Sequence, residues 1–143
     1  MLKLVLVAAA VLIAASVARL VRIRRHATNA GTDHHIPDRL DLAHFAHASK
    51  QWLIVAFTST SCESCHRVVA AIDRMDRDDL VTTTVELESN PDLHHHYRID
   101  AVPTTLIADP GGTVRKSFLG PVGYEAIEHA LSEATARYKS GKV

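Results

Sequence analysis

"WLIVAFTSTSCESCHRVVAAIDRM", residues 52–75, carries both cysteines of the chain, Cys62 and Cys65, at the seam between two patterns. Before them, "WLIVAFT" (52–58) is an unbroken apolar run of strand length, the signature of a strand covered on both faces. After them, Val68, Val69, Ile72 and Met75 recur at helical spacing, so a helix is expected over Cys62–Met75. A Cys-x-x-Cys pair at such a junction invites three readings: a redox dithiol, half of a metal site, or two packed thiols.

Position separates the three. Near a helix N-terminus, unpaired backbone N–H groups and the helix dipole favour thiolate over thiol at Cys62. Cys65, one turn further in, is placed to displace whatever Cys62 has bound. A zinc site needs about four ligands, and His66 is the nearest further candidate, with no second cysteine pair to complete the set. Packed thiols would belong in the apolar stripe, whereas these follow "TSTS" outside it. The redox reading is therefore the one carried forward, with no metal and no cofactor required. Glu63 and His66 are candidate tuners of the Cys62 thiol, the anion opposing thiolate and a protonated imidazole favouring it.

Working outward, Leu42, Phe45 and Ala46 predict a helix from about Asp38 to Ser49. "LVTTTVELE" (80–88) is rich in β-branched residues and is expected as a strand; "NPDLHHHYRI" opens on an Asn-Pro helix start and makes one or two turns. "TTLIAD" (104–109), "PGG" (110–112) and "TVRKSFL" (113–119) read as a hairpin. A last helix from about Gly123 has an apolar face of Ala126, Ile127, Ala130, Leu131 and Ala134. This order gives an α/β architecture, a mixed central sheet flanked by helices.

The body so outlined resembles the thioredoxin family over about residues 38–139. The Cys62-x-x-Cys65 motif in a βαβ setting is one such feature. The run "VELESNPDLHHHYRIDAVPTTLIAD" (85–109) and the "PVGY" turn (121–124) are others. The resemblance implies a thioredoxin fold and thiol–disulfide oxidoreductase activity on protein dithiols and disulfides, with an electron donor or acceptor as second partner. It implies that Cys62 is the nucleophile and Cys65 the resolving thiol. It further implies a cis bond between Val102 and Pro103, with the Val102 backbone presented to an extended substrate peptide. The chain departs from the family pattern where Ser61, Glu63 and Ser64 replace the usual Trp and Gly-Pro. It departs again where Ala56 and Thr84 stand in place of a buried carboxylate and its lysine. Losing both leaves no unpaired buried charge, but takes away the family's proton acceptor for Cys65. Two other readings stay open: a redox-silent peptide-binding module on the same fold, and an outward-facing oxidoreductase for disulfide formation or cytochrome maturation.

The first 25 residues are of another kind. Leu4–Ala18 is uncharged, and Leu20, Val21 and Ile23 extend it if Arg19 and Arg22 snorkel to the headgroups. Residues 2–23 then reach the roughly 17–25 residues a membrane helix needs. Ser16-Val17-Ala18 resembles a signal-peptidase site, but Arg19, Arg22, Arg24 and Arg25 follow at once, where a signal peptide carries its charge ahead of the apolar run. The expected organisation is a transmembrane anchor (1–25), a linker (26–37) and a thioredoxin-like domain (38–143). Four arginines after the span against Lys3 before it predict a single-pass cell-membrane protein with a cytoplasmic C-terminal domain; the extracytoplasmic orientation is the alternative.

Among 143 residues with zero formal net charge, nothing points to nucleic acid, and the domain is expected to be a monomer. The ten histidines read as solvated surface residues. His94, His95 and His96 are consecutive on a short helix, so their rings cannot all reach one ion. "DRMDRDD" (73–79) reads as the polar end of a helix and its loop.

Overall fold

The computed structural model describes residues 34–45 and 51–141. The expected membrane anchor, the linker up to Asp33 and residues 46–50 lie outside them. Among the described residues, no helix is long and apolar enough to cross a membrane.

A 3-10 turn, Leu42–Phe45, comes first. The strands are β1 (Trp52–Thr58), β2 (Leu80–Glu86), β3 (Thr104–Ala108) and β4 (Val114–Leu119), and the helices α1 (Cys65–Ile72), α2 (Pro91–His96) and α3 (Tyr124–Lys139). The sheet order is β2-β1-β3-β4. β1 runs parallel to β2 and antiparallel to β3, and β3 is antiparallel to β4. β1 is therefore the central strand that its unbroken apolar run predicts, and all seven of its residues are buried.

Alternation along β1 divides the core in two. Trp52, Ile54 and Ala56 pack on one face with Val68, Ala71 and Ile72 of α1 and Ile127, Ala130, Leu131 and Ala134 of α3. Leu53, Val55 and Phe57 face the other way, against Leu40, Phe45, Val85, Tyr97, Leu106 and Ala108. Each fully buried Leu, Ile, Val or Phe side chain contributes about 1.5–3 kcal/mol, so this strand anchors whatever follows it.

Some expectations need correction. Of the N-terminal helix predicted over 38–49, the described residues as far as Phe45 form a 3-10 turn, Leu42–Phe45, and 46–49 lie outside them. Here Asp41 Oδ1 takes the Ala43 N–H at 3.0 Å, which caps the start of the turn. α1 is shorter than 62–75: Asp73 closes it, although Met75 still reaches the core. Ala126 is exposed; the buried stripe of α3 runs from Ile127 through Ala130 and Leu131 to Ala134. Residues 34–37 lie against the folded body: Ile36 packs on the core, Pro37 is buried, and His34 Nδ1 is 2.9 Å from Asp100 Oδ1.

At the β4 end, Asp109 organises the hairpin. Its Oδ1 accepts the Gly111 and Thr113 N–H groups at 2.9 and 3.0 Å, and Arg115 Nη2 is 2.6 Å from Oδ2. Leu40 N–H donates to the Gly112 carbonyl at 2.8 Å, which ties the N-terminal segment to this turn.

Candidate active site

β1 ends at Thr58, and the chain turns through Ser59–Ser64 before α1 begins. Cys62 and Cys65 form a disulfide across this turn, with Cα atoms 5.4 Å apart. Cys65 N–H donates to the Cys62 carbonyl at 3.1 Å, and Cys62 N–H donates to Ser59 at 3.1 Å. Ser64 already has helical dihedrals, so Cys65 opens the helix rather than lying a full turn inside it. The two sulfurs are unequal: Cys62 is half-buried and Cys65 is 3% exposed. A partner disulfide can approach the first and not the second. Ser64 Oγ lies 3.5 Å from Cys62 Sγ, where a hydroxyl donor favours thiolate.

The other wall of this edge comes from β3. Because β1 and β3 are antiparallel, with Phe57 opposite Thr104, the start of β3 lies at the end of β1 from which the cysteine loop departs. Immediately before it, the Val102–Pro103 peptide bond is cis. Pro103 is buried, and its carbonyl accepts the Gly120 N–H at 2.8 Å; Val102 is half-buried. The topology thus brings Cys62, Cys65, Val102 and Pro103 to one edge of the sheet.

The family model described as thioredoxin matches residues 40–133, more than half of the chain. The chain belongs to the thioredoxin family. Two solved structures are similar to this thioredoxin domain. One, described as a malarial protein, has a TM-score of 0.55 at 14% identity, covering 59% of this chain and 97% of the other. The other is StoA from Bacillus subtilis, with a TM-score of 0.49 at 18% identity, covering 58% of this chain and 84% of that one. No curated protein matches the chain. What stands is a thioredoxin domain whose Cys-x-x-Cys pair sits at disulfide distance, the general equipment of thiol–disulfide chemistry.

Within this thioredoxin domain, Ala56 is fully buried and stands opposite Thr84 of β2 on one side and Thr105 of β3 on the other. No charge enters that layer of the sheet from these positions. The one buried carboxylate among the described residues, Asp109, belongs to the opposite edge and is bound to Arg115. Glu63 and His66 flank the cysteines with exposed side chains.

The histidines divide. His95, His96 and His66 are exposed, but His94 is 3% exposed, which corrects the expectation of solvated rings throughout. Its Nε2–H donates to the Val85 carbonyl at 3.0 Å, and its ring meets Phe57 edge-on at 5.1 Å. Among the described residues, no group of three or more His, Cys, Asp or Glu side chains could hold a metal ion.

Sequence reasoning passed over Glu88. Its Oε1 accepts the Ser59 hydroxyl at 2.6 Å and its Oε2 the Thr60 N–H at 3.0 Å. These two donors, Ser59 first, hold the Glu88 carboxyl down at about 2. The signal was present in the parallel pairing of β1 and β2. Two parallel neighbours end at the same edge, so an acid just past β2 falls beside the loop that follows β1.

Proposed function

We propose that this protein is a membrane-tethered thiol–disulfide oxidoreductase acting on protein disulfides. The observation that carries the reading is the asymmetric pair, an accessible Cys62 and a shielded Cys65, on the loop leaving the central strand. In the reduced domain the Cys62 thiolate attacks one sulfur of a partner disulfide. A Cys62–partner bond forms, the partner S–S bond breaks, and the leaving thiolate takes up a proton. Cys65 then gives up its proton, and its thiolate attacks Cys62 Sγ. The intramolecular disulfide forms and the second partner thiol leaves protonated. The partner gains two electrons from the dithiol and two protons, one released by Cys65 and one from solvent, and a dithiol donor returns the domain to its reduced form.

Val102 and Pro103 are assigned the partner-binding wall, and Glu63 and His66 the tuning of Cys62. The domain acts as a monomer, held at the cell membrane through residues 2–23 and facing the cytoplasm, where disulfides do not persist and the pair works as a reductant. Support for the tether and its direction comes from the apolar run and from four arginines against one lysine.

Reduction of insulin disulfides with dithiothreitol as donor tests the activity. Turnover above the dithiothreitol blank is expected, and its absence would favour a redox-silent peptide clamp. Reporter fusions after Val143 in a bacterial host test the topology. A fluorescent green-protein fusion with an inactive alkaline phosphatase fusion is expected. The reverse pattern would place the domain outside, as an oxidoreductase for disulfide formation or cytochrome maturation.

A further inference from the structure

The loop that presents Cys62 is not held by its own backbone alone. Ser59 has one hydroxyl proton, and it goes to Glu88 Oε1 at 2.6 Å. The Ser59 oxygen is then an acceptor for Ser61: its Oγ lies 2.9 Å from the Ser61 hydroxyl and 3.3 Å from the Ser61 N–H. Thr60 N–H is taken by Glu88 Oε2 at 3.0 Å, and the Ser59 carbonyl takes the Cys62 N–H at 3.1 Å. A single carboxylate therefore ties down two consecutive residues, Ser59 and Thr60, and through Ser59 reaches Ser61 and the backbone of the cysteine itself. It does so from the segment just past β2, which the cysteines do not belong to. Leu87 N–H, one residue earlier, bonds the Thr58 carbonyl at 2.9 Å and fixes the base of the clamp.

We infer that Glu88 is a positioning residue for the dithiol: through Ser59 and Thr60 it fixes the loop that aims Cys62 Sγ at an incoming disulfide. The inference rests on the thiol-exchange reading and deepens it. In-line attack on a disulfide tolerates little displacement of the nucleophile, so loosening this loop costs rate without removing any reacting atom. The carboxylate has a second effect, through its charge. A fixed anion bound to the Cys62 loop opposes a second anion on sulfur, which destabilises the reduced thiolate form and makes the dithiol a better electron donor. Glu63 and His66 also bear on Cys62, but they are the same in every variant below, so their influence cancels in the differences.

Three variants of the full chain separate geometry from charge: Glu88→Ala, Glu88→Gln and Ser59→Ala. Glu88→Ala and Ser59→Ala are expected to lower kcat/KM for insulin reduction about tenfold. Glu88→Gln keeps a neutral acceptor for the Ser59 hydroxyl and should recover part of that loss. In a glutathione redox buffer, Glu88→Gln should shift the Cys62–Cys65 couple toward the reduced form, a more oxidising potential, whereas Ser59→Ala, which keeps the charge, should shift it less. Equal losses in all three with no change in potential would reduce Glu88 to a general stabiliser and overturn the inference. So would wild-type rate and potential in Glu88→Ala. If the wild-type chain has no turnover, the activity reading fails on its own, and amide exchange decides the clamp. A Thr60 N–H that exchanges slowly in the wild type and fast in Glu88→Ala upholds it; equal exchange in both overturns it.

Discussion

Ala56 of β1 stands opposite Thr105 of β3, and both side chains are fully buried, on the side of the sheet that α1 covers. The layer has room for methyl and hydroxyl groups and no cation to receive a charge. Ala56→Asp would bury a carboxylate without a partner, at a cost of about 3–5 kcal/mol once ionised. Burial raises the folded pKa of such an acid above its unfolded value, so the penalty is small near pH 4 and grows as the pH rises. Urea denaturation at pH 4 and pH 8 should show the two proteins close in stability at the lower pH and well apart at the higher. Adding Thr84→Lys, across the β1–β2 pairing, should recover part of the loss at pH 8.

Replacement of the cysteines should separate their roles. Cys62→Ser removes the accessible sulfur and should reduce insulin turnover to background. Cys65→Ser leaves the attack intact and removes the shielded thiol that resolves it. It should accumulate mixed disulfides, visible as dithiothreitol-sensitive bands on a non-reducing gel. Full turnover in Cys62→Ser would reverse the assignment of nucleophile.

Much of this architecture could be read from patterns with a single physical solution. "WLIVAFT" has the length and continuity of a strand covered on both faces, and its bounds are those of β1. "NP" before a short polar run predicted α2, and "PGG" between two β-rich runs predicted the β3–β4 turn. What stayed hidden depends on contacts between distant segments. Three consecutive histidines give no sign of which one turns inward. Tyr97, three residues after His94 and buried like it, marks the shared face only once the sheet beneath is known. Glu88 drew no notice at the end of the strand expected over 80–88, because its partners lie 28 and 29 residues earlier and meet it only through the parallel pairing of β1 and β2. The form of Leu42–Phe45 was hidden too, since helical spacing at Leu42 and Phe45 does not by itself tell a 3-10 turn from an α-helix.

Gly112 should be the least replaceable residue of the hairpin. Its φ is +82°, and a Cβ there would land on the Leu40 carbonyl oxygen, the backbone of the segment it ties down. Gly112→Ala therefore combines an unfavourable left-handed conformation with an overlap that no side-chain rotation relieves. A loss of about 1–3 kcal/mol is expected, read as a lower urea midpoint. Gly123 is the control: its φ is −97° and an added Cβ meets nothing within 4 Å, so Gly123→Ala should cost less than about 1 kcal/mol.

The Glu88 clamp also carries a pH dependence of definite sign. The carboxyl is held at about 2 in the folded domain, against an ordinary value of 4.5. The ionised form is the one that accepts from both Ser59 and Thr60, so the clamp is complete at every pH above 4.5. As the pH falls from 4.5 toward 2, the unfolded chain binds a proton that the folded loop refuses, and the contribution fades; below about 2 it is gone. Carboxyl NMR of the full chain should therefore place the Glu88 midpoint near 2, with the Thr60 amide signal moving over the same range. Ser59 is the larger of the two donors' influences, so Ser59→Ala should move that midpoint up toward 4.5. A wild-type midpoint at 4.5 would mean that the carboxylate does not hold the loop in solution, and the clamp would fall with it.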